Sequence, residues 1–165
     1  MIVGVAGCAG LPNPIGTPLP RDGLHPNAPV QVAPPPAVAP DPVKVGEVQR
    51  NRAKWDAQRI GDYRMTVMYG CQCPLAGRPI EVTVRAGQLA AAKDAGAALE
   101  LERLTGFPAT IDALFDYAER FGSAGKIEFK WDARFGIPTA LGVDPDLQAR
   151  DDEIRIAILE FQPDS

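Results

Sequence analysis

The distribution of proline divides this chain into two parts of different physical character. Eleven of its seventeen prolines fall between Leu11 and Pro42, and Pro34-Pro35-Pro36 are consecutive. Proline fixes φ and has no backbone N–H donor, so it is excluded from helix interiors and from central strands. This segment also contains hardly any charged or aromatic residues, and we expect residues 8–42 to be a disordered, polyproline-rich tether. Folding into a packed core is thereby confined to residues 43–165.

The size and charge of the chain limit what that folded part can be. The chain has 165 residues, 45% of them apolar, which is enough for one modest domain with a proper core. Seventeen Lys and Arg stand against 21 Asp and Glu. A mildly acidic protein does not concentrate the positive potential that nucleic acid binding requires, so we exclude that class. No later segment reaches the roughly 18 uninterrupted apolar residues of a membrane-spanning helix.

The first residues carry a motif that predicts location. Val5-Ala6-Gly7 directly precede Cys8, which resembles the lipobox of bacterial lipoproteins. On this interpretation residues 1–7 are a truncated signal-like segment, and Cys8 carries palmitate-type acyl chains that anchor the protein in a lipid bilayer. Ala9 then favours the outer membrane, facing the periplasm, in a Gram-negative host. The alternative is a plain apolar N-terminus, because seven residues are short for a signal h-region and no Lys or Arg precedes them.

Hydrophobic periodicity predicts a helix and a meander in the first half of the domain. Val45, Val48 and Trp55 share one helical stripe, and we expect that helix to run from about Val43 to Gly61-Asp62. The segment from Tyr63 to Tyr69 alternates with a period of two, which is typical of a half-buried strand. Two further strands follow, joined by a hairpin turn at Ala86-Gly87, while residues 94–109 fit either a short helix or a loop.

The second half is predicted to add one helix and three strands. Thr110 is a suitable N-cap for a helix that continues to Phe121, where Gly122 ends it. Strands with short connections favour an antiparallel sheet. We therefore predict an α+β fold, with about five or six strands and two helices packed on one face. Apolar residues on both faces of 154–161 indicate that this last strand is central.

Several of these residues together resemble a known family. The features are Trp55, Tyr63, Cys71-Gln72-Cys73, Thr110–Phe121, Trp131-Asp132, Gly136-Ile137-Pro138, Asp144 and Asp152-Glu153. In this order they resemble a bacterial envelope domain of unknown function, number 6174, over Val48–Phe161. The closing strands show a weaker likeness to periplasmic PepSY-type modules. The resemblance implies a secreted or lipid-anchored α+β domain and brings no activity with it.

Cys71 and Cys73 are the residues best suited to chemistry. Two cysteines in an oxidising compartment tend to pair, but Cα atoms two apart on a strand lie near the upper limit of about 6.8 Å for a disulfide. Pro74 makes the necessary kink credible. A structural pair, a bond to a partner, thiol–disulfide exchange and metal binding all stay open. Two thiolates alone fall short of the four ligands of a structural zinc site.

Other candidate sites are weaker. Five acidic residues lie close together near the end of the chain: Asp144, Asp146, Asp151, Asp152 and Glu153. They lack the glycine-centred loop of a calcium site, and a solvated hairpin loop explains them. His25, the lone histidine, lies in the tether, and Ser123 is the only internal serine of the folded part, outside any Gly-x-Ser-x-Gly elbow. We predict no catalytic residue, metal site or cofactor.

Two functions remain as hypotheses. The first is a noncatalytic envelope lipoprotein domain that binds or inhibits a protein or small ligand, with Trp55 and Trp131 as candidates to line a cleft, although aromatic residues on apolar stripes are usually core. The alternative is a periplasmic thiol–disulfide factor that uses Cys71 and Cys73.

Overall fold

The computed structural model describes residues 41–121, 126–145 and 153–164. These residues form two α-helices, a short 3₁₀-helix and seven strands. In chain order the elements are α1 Pro42–Asp56, β1 Tyr63–Gly70, β2 Pro79–Arg85, β3 Gln88–Asp94, β4 Ala97–Ala98, the 3₁₀-helix Leu101–Leu104, α2 Ile111–Arg120, β5 Lys126–Trp131, β6 Pro138–Asp144 and β7 Ile154–Pro163. The predicted signal-like segment, residues 8–40 of the predicted tether with Cys8 and His25, and Gly122, Ser123 and most of the acidic loop lie outside the described residues. The predicted end of the tether at Pro42 is too late, because Asp41 and Pro42 already belong to the start of α1.

The strands make one antiparallel sheet in the order β4-β3-β2-β1-β7-β6-β5. The predicted α+β class is therefore confirmed, and β7 lies between β1 and β6, inside the sheet as its two-sided apolar pattern indicated. The predicted number of five or six strands is too low by at least one. The strand that had no sequence signal is β4, which pairs only two residues with β3.

Helix α1 begins where it was expected but ends earlier. Asp41 is its N-cap, since one carboxylate oxygen accepts a hydrogen bond from the Val43 N–H at 2.9 Å, and Pro42 occupies the first turn. The predicted end at Gly61-Asp62 is wrong, because the helix stops at Asp56. A turn follows, and Arg59 takes a left-handed conformation with φ of 53°, which redirects the chain toward β1.

Helix α2 follows the sequence prediction closely. The Thr110 hydroxyl accepts a hydrogen bond from the Ala113 N–H at 3.1 Å, so this residue is the N-cap. Ile111, Leu114 and Phe115 are at most 1% exposed and form the apolar face. The helix ends at Arg120, near the predicted position.

The predicted hairpin turn at Ala86-Gly87 is also confirmed. Both residues have positive φ, 48° and 76°, as the type I′ turn between two strands requires. The Asp62 carboxylate accepts a hydrogen bond from the Ala86 N–H at 2.7 Å, which ties the turn to the start of β1.

Both helices pack against the same face of the sheet. The Tyr63 ring of β1 meets the Trp55 ring of α1 edge-on, with centroids 5.7 Å apart, and its hydroxyl accepts a hydrogen bond from the Ile111 N–H of α2. Arg52 also joins the helices through Asp116, at 2.8 Å, and Glu119. We call this side the covered face. The opposite side, the open face, carries no helix from the described residues.

None of the described helices is both long enough and apolar enough to cross a bilayer.

Candidate functional site

Cys71 and Cys73 form a disulfide immediately after β1. Their Cα atoms are 5.3 Å apart, inside the range that a disulfide spans. The strand ends at Gly70, so the two cysteines lie in a bend and not on the regular strand. This is the local kink that the spacing demanded, and both side chains pack partly buried against the core.

The loop that contains this disulfide is held at its far end. Leu75 is only 1% exposed and anchors the loop in the core, while the Gly77 N–H donates to the Tyr69 carbonyl at 2.8 Å. Ala76 also pairs with Tyr69 in an isolated bridge. The disulfide therefore belongs to a fixed loop beside the end of β1.

Trp55 lies deep in the core. It is 3% exposed, and its indole N–H donates to the Asp112 carboxylate at 3.2 Å, which links α1 to α2. Its ring also meets Phe161 of β7 edge-on, at 5.9 Å between centroids. These contacts fix the position of α1 over the sheet.

Trp131 lies at the other end of the covered face. Its indole N–H donates to the Glu47 carboxylate at 2.7 Å, which links β5 to α1. Its ring stacks on Phe115 and contacts Phe129, with centroids 5.9 and 5.1 Å away. Each tryptophan thus has its own aromatic neighbours and its own carboxylate, and the hypothesis that Trp55 and Trp131 line a ligand cleft stays a prediction.

Two buried tyrosines of β1 hold the segment before α2. The Tyr63 hydroxyl accepts from the Ile111 N–H at 2.8 Å, and the Tyr69 hydroxyl donates to the Pro108 carbonyl at 3.1 Å. Burial raises the pKa of Tyr63 to about 12, although the bond from Ile111 opposes the shift. Burial also raises the pKa of Tyr69 well above its usual value. Both side chains act as neutral hydrogen-bonding anchors at physiological pH.

The open face has a different composition near β5, β6, β7 and β1. Strand register places Lys130, Ala140, Ala157 and Met68 in one row across these strands. A second row holds Glu128, Gly142, Arg155 and Gly70. Small residues therefore occupy the centre of the first row, and in the second row two glycines flank Arg155.

These small side chains form the floor of a groove of about 610 Å³. We call it the small-residue groove and define its floor as Gly70, Ala140, Gly142 and Ala157. A Cβ at Gly70 would approach the Arg155 Cβ to 3.3 Å, so glycine leaves that long side chain room to lie along the sheet. Gly77 of the disulfide loop borders the groove near β1. A volume of this size is typical of small-molecule sites.

The rim of the small-residue groove is positively charged. Lys44, Lys130 and Arg155 line it, against one lining carboxylate, Glu128, and the Lys44 ammonium also lies 3.8 Å from the Glu47 carboxylate of α1. A hydrogen bond from Lys126 lowers the pKa of Glu128, and the charges of Arg155 and Lys44 act in the same direction. An excess of cations here is notable because the whole chain has a net charge of −4.

The rest of the open face is balanced and polar. A second depression of about 570 Å³ lies over β7, β1, β2 and β3. Its side chains on this face are Arg64, Thr66, Glu81, Thr83, Ala91, Lys93, Glu160 and Gln162. Two cations face two carboxylates, and there is no apolar floor comparable to that of the small-residue groove.

Sequence reasoning missed the small-residue groove. The sequence indicates it only weakly, by small residues two positions apart, such as Ala140 and Gly142, whose side chains both point to the open face. Within the described ranges, no group of three or more His, Cys, Asp or Glu side chains is placed to hold a metal ion. The Lys, Arg and Glu side chains at the rim are suited to ion pairing and hydrogen bonding.

The comparisons with known proteins add one finding. Residues 47–163 match the model of a family of unknown function, DUF6174, which agrees with the resemblance over Val48–Phe161. No curated protein and no solved structure matches the chain. The likeness to PepSY-type modules stays a prediction. Because the matched region is more than half of the 165 residues, the chain belongs to the DUF6174 family.

Proposed function

We propose that this protein is a noncatalytic binding domain whose ligand lies in the small-residue groove. The observation that carries the proposal is the groove itself, with its apolar floor and cationic rim. The covered face has no comparable freedom, because its large side chains are already packed against two helices.

The chemistry of the groove favours an anionic amphiphile. Met68 and the alanines offer apolar contact along the floor, while Lys44, Lys130 and Arg155 outnumber Glu128 at the rim. A ligand with an extended apolar part and one carboxylate or phosphate satisfies both regions. Burial of its chain contributes roughly 0.8 kcal/mol per methylene.

Calorimetric titration of the full chain with dodecanoate tests this proposal, with dodecyltrimethylammonium as the matched ligand of opposite charge. We expect the anion to bind and the cation to bind far more weakly. Gly142→Leu fills the floor, because a Cβ there has only an ordinary contact, 3.9 Å from the Glu128 Cβ. Thr83→Leu, on the polar half of the same face, is the control. Equal binding by both variants contradicts the proposal.

We also propose that the domain works in the cell envelope, anchored in the bilayer by lipid on Cys8. The support is the lipobox-like run Val5-Ala6-Gly7 before this cysteine and the proline-rich tether after it. The intact mass of the full-length product from its host tests this directly. Acyl chains on Cys8 are expected, and an unprocessed, unmodified N-terminus contradicts the proposal.

The second candidate function is thiol–disulfide exchange by Cys71 and Cys73. The supporting observation is that the two form a pair within one short bend. A catalytic thiol benefits from a helix N-terminus or a nearby cation, whereas this pair follows a strand. Replacing both cysteines by serine distinguishes the two functions, since dodecanoate binding survives under the first and disulfide exchange is lost under the second.

A further inference from the structure

Among the strands that the structure describes, β5 lies at one edge of the sheet and pairs only with β6. The opposite edge, β4, is only two residues long. An edge strand presents a row of unpaired N–H and C=O groups, to which another strand can add. The six residues of β5 are therefore the longer of the two edges available for pairing.

Strand β5 carries charged side chains, which commonly limit edge pairing, and Lys44 of α1 lies 6.0 Å from the Phe129 ring, but other protective features are missing. It contains no proline, and the irregularity in its pairing with β6 comes from an extra residue on β6, where Lys130 pairs with Ala140 but Trp131 pairs with Pro138. Its covered-face side chains are also not fully buried, since Phe129 and Trp131 remain partly exposed.

The side chains of β5 alternate between the two faces of the sheet, which limits how this strand can pair with the same strand of a second copy. Lys126, Glu128 and Lys130 point to the open face, and Ile127, Phe129 and Trp131 to the covered face. When two antiparallel strands pair, facing residues must lie on the same face, so only every second register is allowed.

In two of the allowed registers, five residues of β5 pair with five residues of β5 in a second copy of the chain. The register centred on Glu128 places this residue opposite its own copy and Lys126 opposite Lys130. Every open-face pair then joins like charges, which is destabilising.

The register centred on Phe129 has the opposite character. It places Glu128 opposite Lys130 twice, once on each side of the symmetry axis. On the covered face Phe129 meets its own copy, and Ile127 meets Trp131 twice. Opposite charges and aromatic pairs are both stabilising across strands.

We propose that a second copy of this chain binds along β5 in the register centred on Phe129, which joins the two sheets into one. This inference goes beyond ligand binding. The interface is symmetric, with the same residues contributed by each copy. Glu128 and Lys130 also line the small-residue groove, so the two grooves meet at the symmetry axis of the dimer.

Charge reversal tests this register. Glu128→Lys and Lys130→Glu each turn both open-face pairs into like-charged pairs. The dissociation constant of the dimer should therefore rise about tenfold or more in each variant alone. An equimolar mixture of the two variants restores both opposite-charge pairs, as does the double variant in one chain. Sedimentation of the full chain measures each dissociation constant, and Glu160→Lys, on β7, is the matched control.

Each outcome has a definite meaning. Dimers in the unmodified chain, weakened in both single variants and recovered in the mixture, support the proposal. An unmodified chain that stays monomeric at all accessible concentrations overturns the proposal. A dimer that is unaffected by the single variants, or that the mixture does not recover, overturns the register. Circular dichroism confirms that each variant is folded, and dodecanoate titration reports separately on the groove.

Discussion

The two faces of this sheet carry side chains of different size on the same layer of strands. Along β1, Tyr63, Met65, Val67 and Tyr69 point to the covered face and are at most 2% exposed. The open face of β6 and β7 instead carries Ala140, Gly142 and Ala157, each next to a buried residue of the covered face. Large residues on one face build the core, and small residues on the other leave space. The contrast indicates that the core and the small-residue groove are separated by one layer of backbone.

The largest test of this separation is to remove a large side chain from the covered face. Phe115 of α2 is fully buried and stacks on Trp131. Phe115→Ala should lower the free energy of unfolding by about 3 to 5 kcal/mol, because it leaves a cavity. Thr83→Ala on the open face should change it by less than about 0.5 kcal/mol. Urea denaturation measures both, and a similar loss in the two variants would show that the faces are not separated.

Two glycines separate the effect of backbone strain from that of close packing. Gly136 has φ of 76°, and a Cβ there would lie 2.9 Å from the Asn51 carbonyl of α1. Gly136→Ala should cost about 2 to 3 kcal/mol through backbone strain and loss of close packing. Gly106→Ala isolates the strain, because φ is also positive but nothing lies within 4 Å.

Gly142 of the open face should behave in the opposite way. Its Cβ position is free of close contacts, and glycine weakens a strand, so Gly142→Ala should raise stability by about 0.5 to 1 kcal/mol. Thermal unfolding of the three alanine variants ranks them, and a destabilised Gly142→Ala would contradict the unfilled open face.

The last effect depends on pH. Because the pKa of Tyr63 is raised to about 12 in the folded protein, its contribution to stability is complete below pH 10 and is lost as the pH rises toward 12. The slope approaches about 1.4 kcal/mol per pH unit. Tyr63→Phe should lower the free energy of unfolding by about 1 to 3 kcal/mol at pH 7, since the Ile111 N–H loses its acceptor. Above pH 10 the stability of this variant should fall less steeply with pH than that of the unmodified chain. An unchanged alkaline slope in this variant would be evidence against the burial of this hydroxyl.

The sequence predicted those parts of the fold that have strong local signals. Alternation marked Tyr63–Tyr69, the left-handed pair Ala86-Gly87 marked the hairpin, and Thr110 marked the start of α2. The end of α1 was missed because Arg59 takes a positive φ that no local rule assigns to arginine. Strand β4 was missed because two alanines have no period.

The candidate site was harder to predict for a different reason. Gly70 and Gly142 are 72 positions apart in the chain and share one row only because β7 lies between their strands. Strand order depends on long-range packing, which periodicity does not report. The aromatic and cysteine signals drew attention to Trp55, Trp131 and Cys71, whereas small residues have no comparable sequence signature.

The position of β7 has a consequence for how the protein folds. The elements α1 to β4 and the β5–β6 hairpin have no strand pairing with each other, and β7 joins them by pairing with β1 and β6. In the β1–β7 pair Tyr63 faces Pro163, so the sheet closes a loop of about 100 residues. Strand β7 is also the last of the described strands to be synthesised. The two parts of the sheet therefore stay unjoined, with the edges that β7 pairs exposed, until β7 has been synthesised.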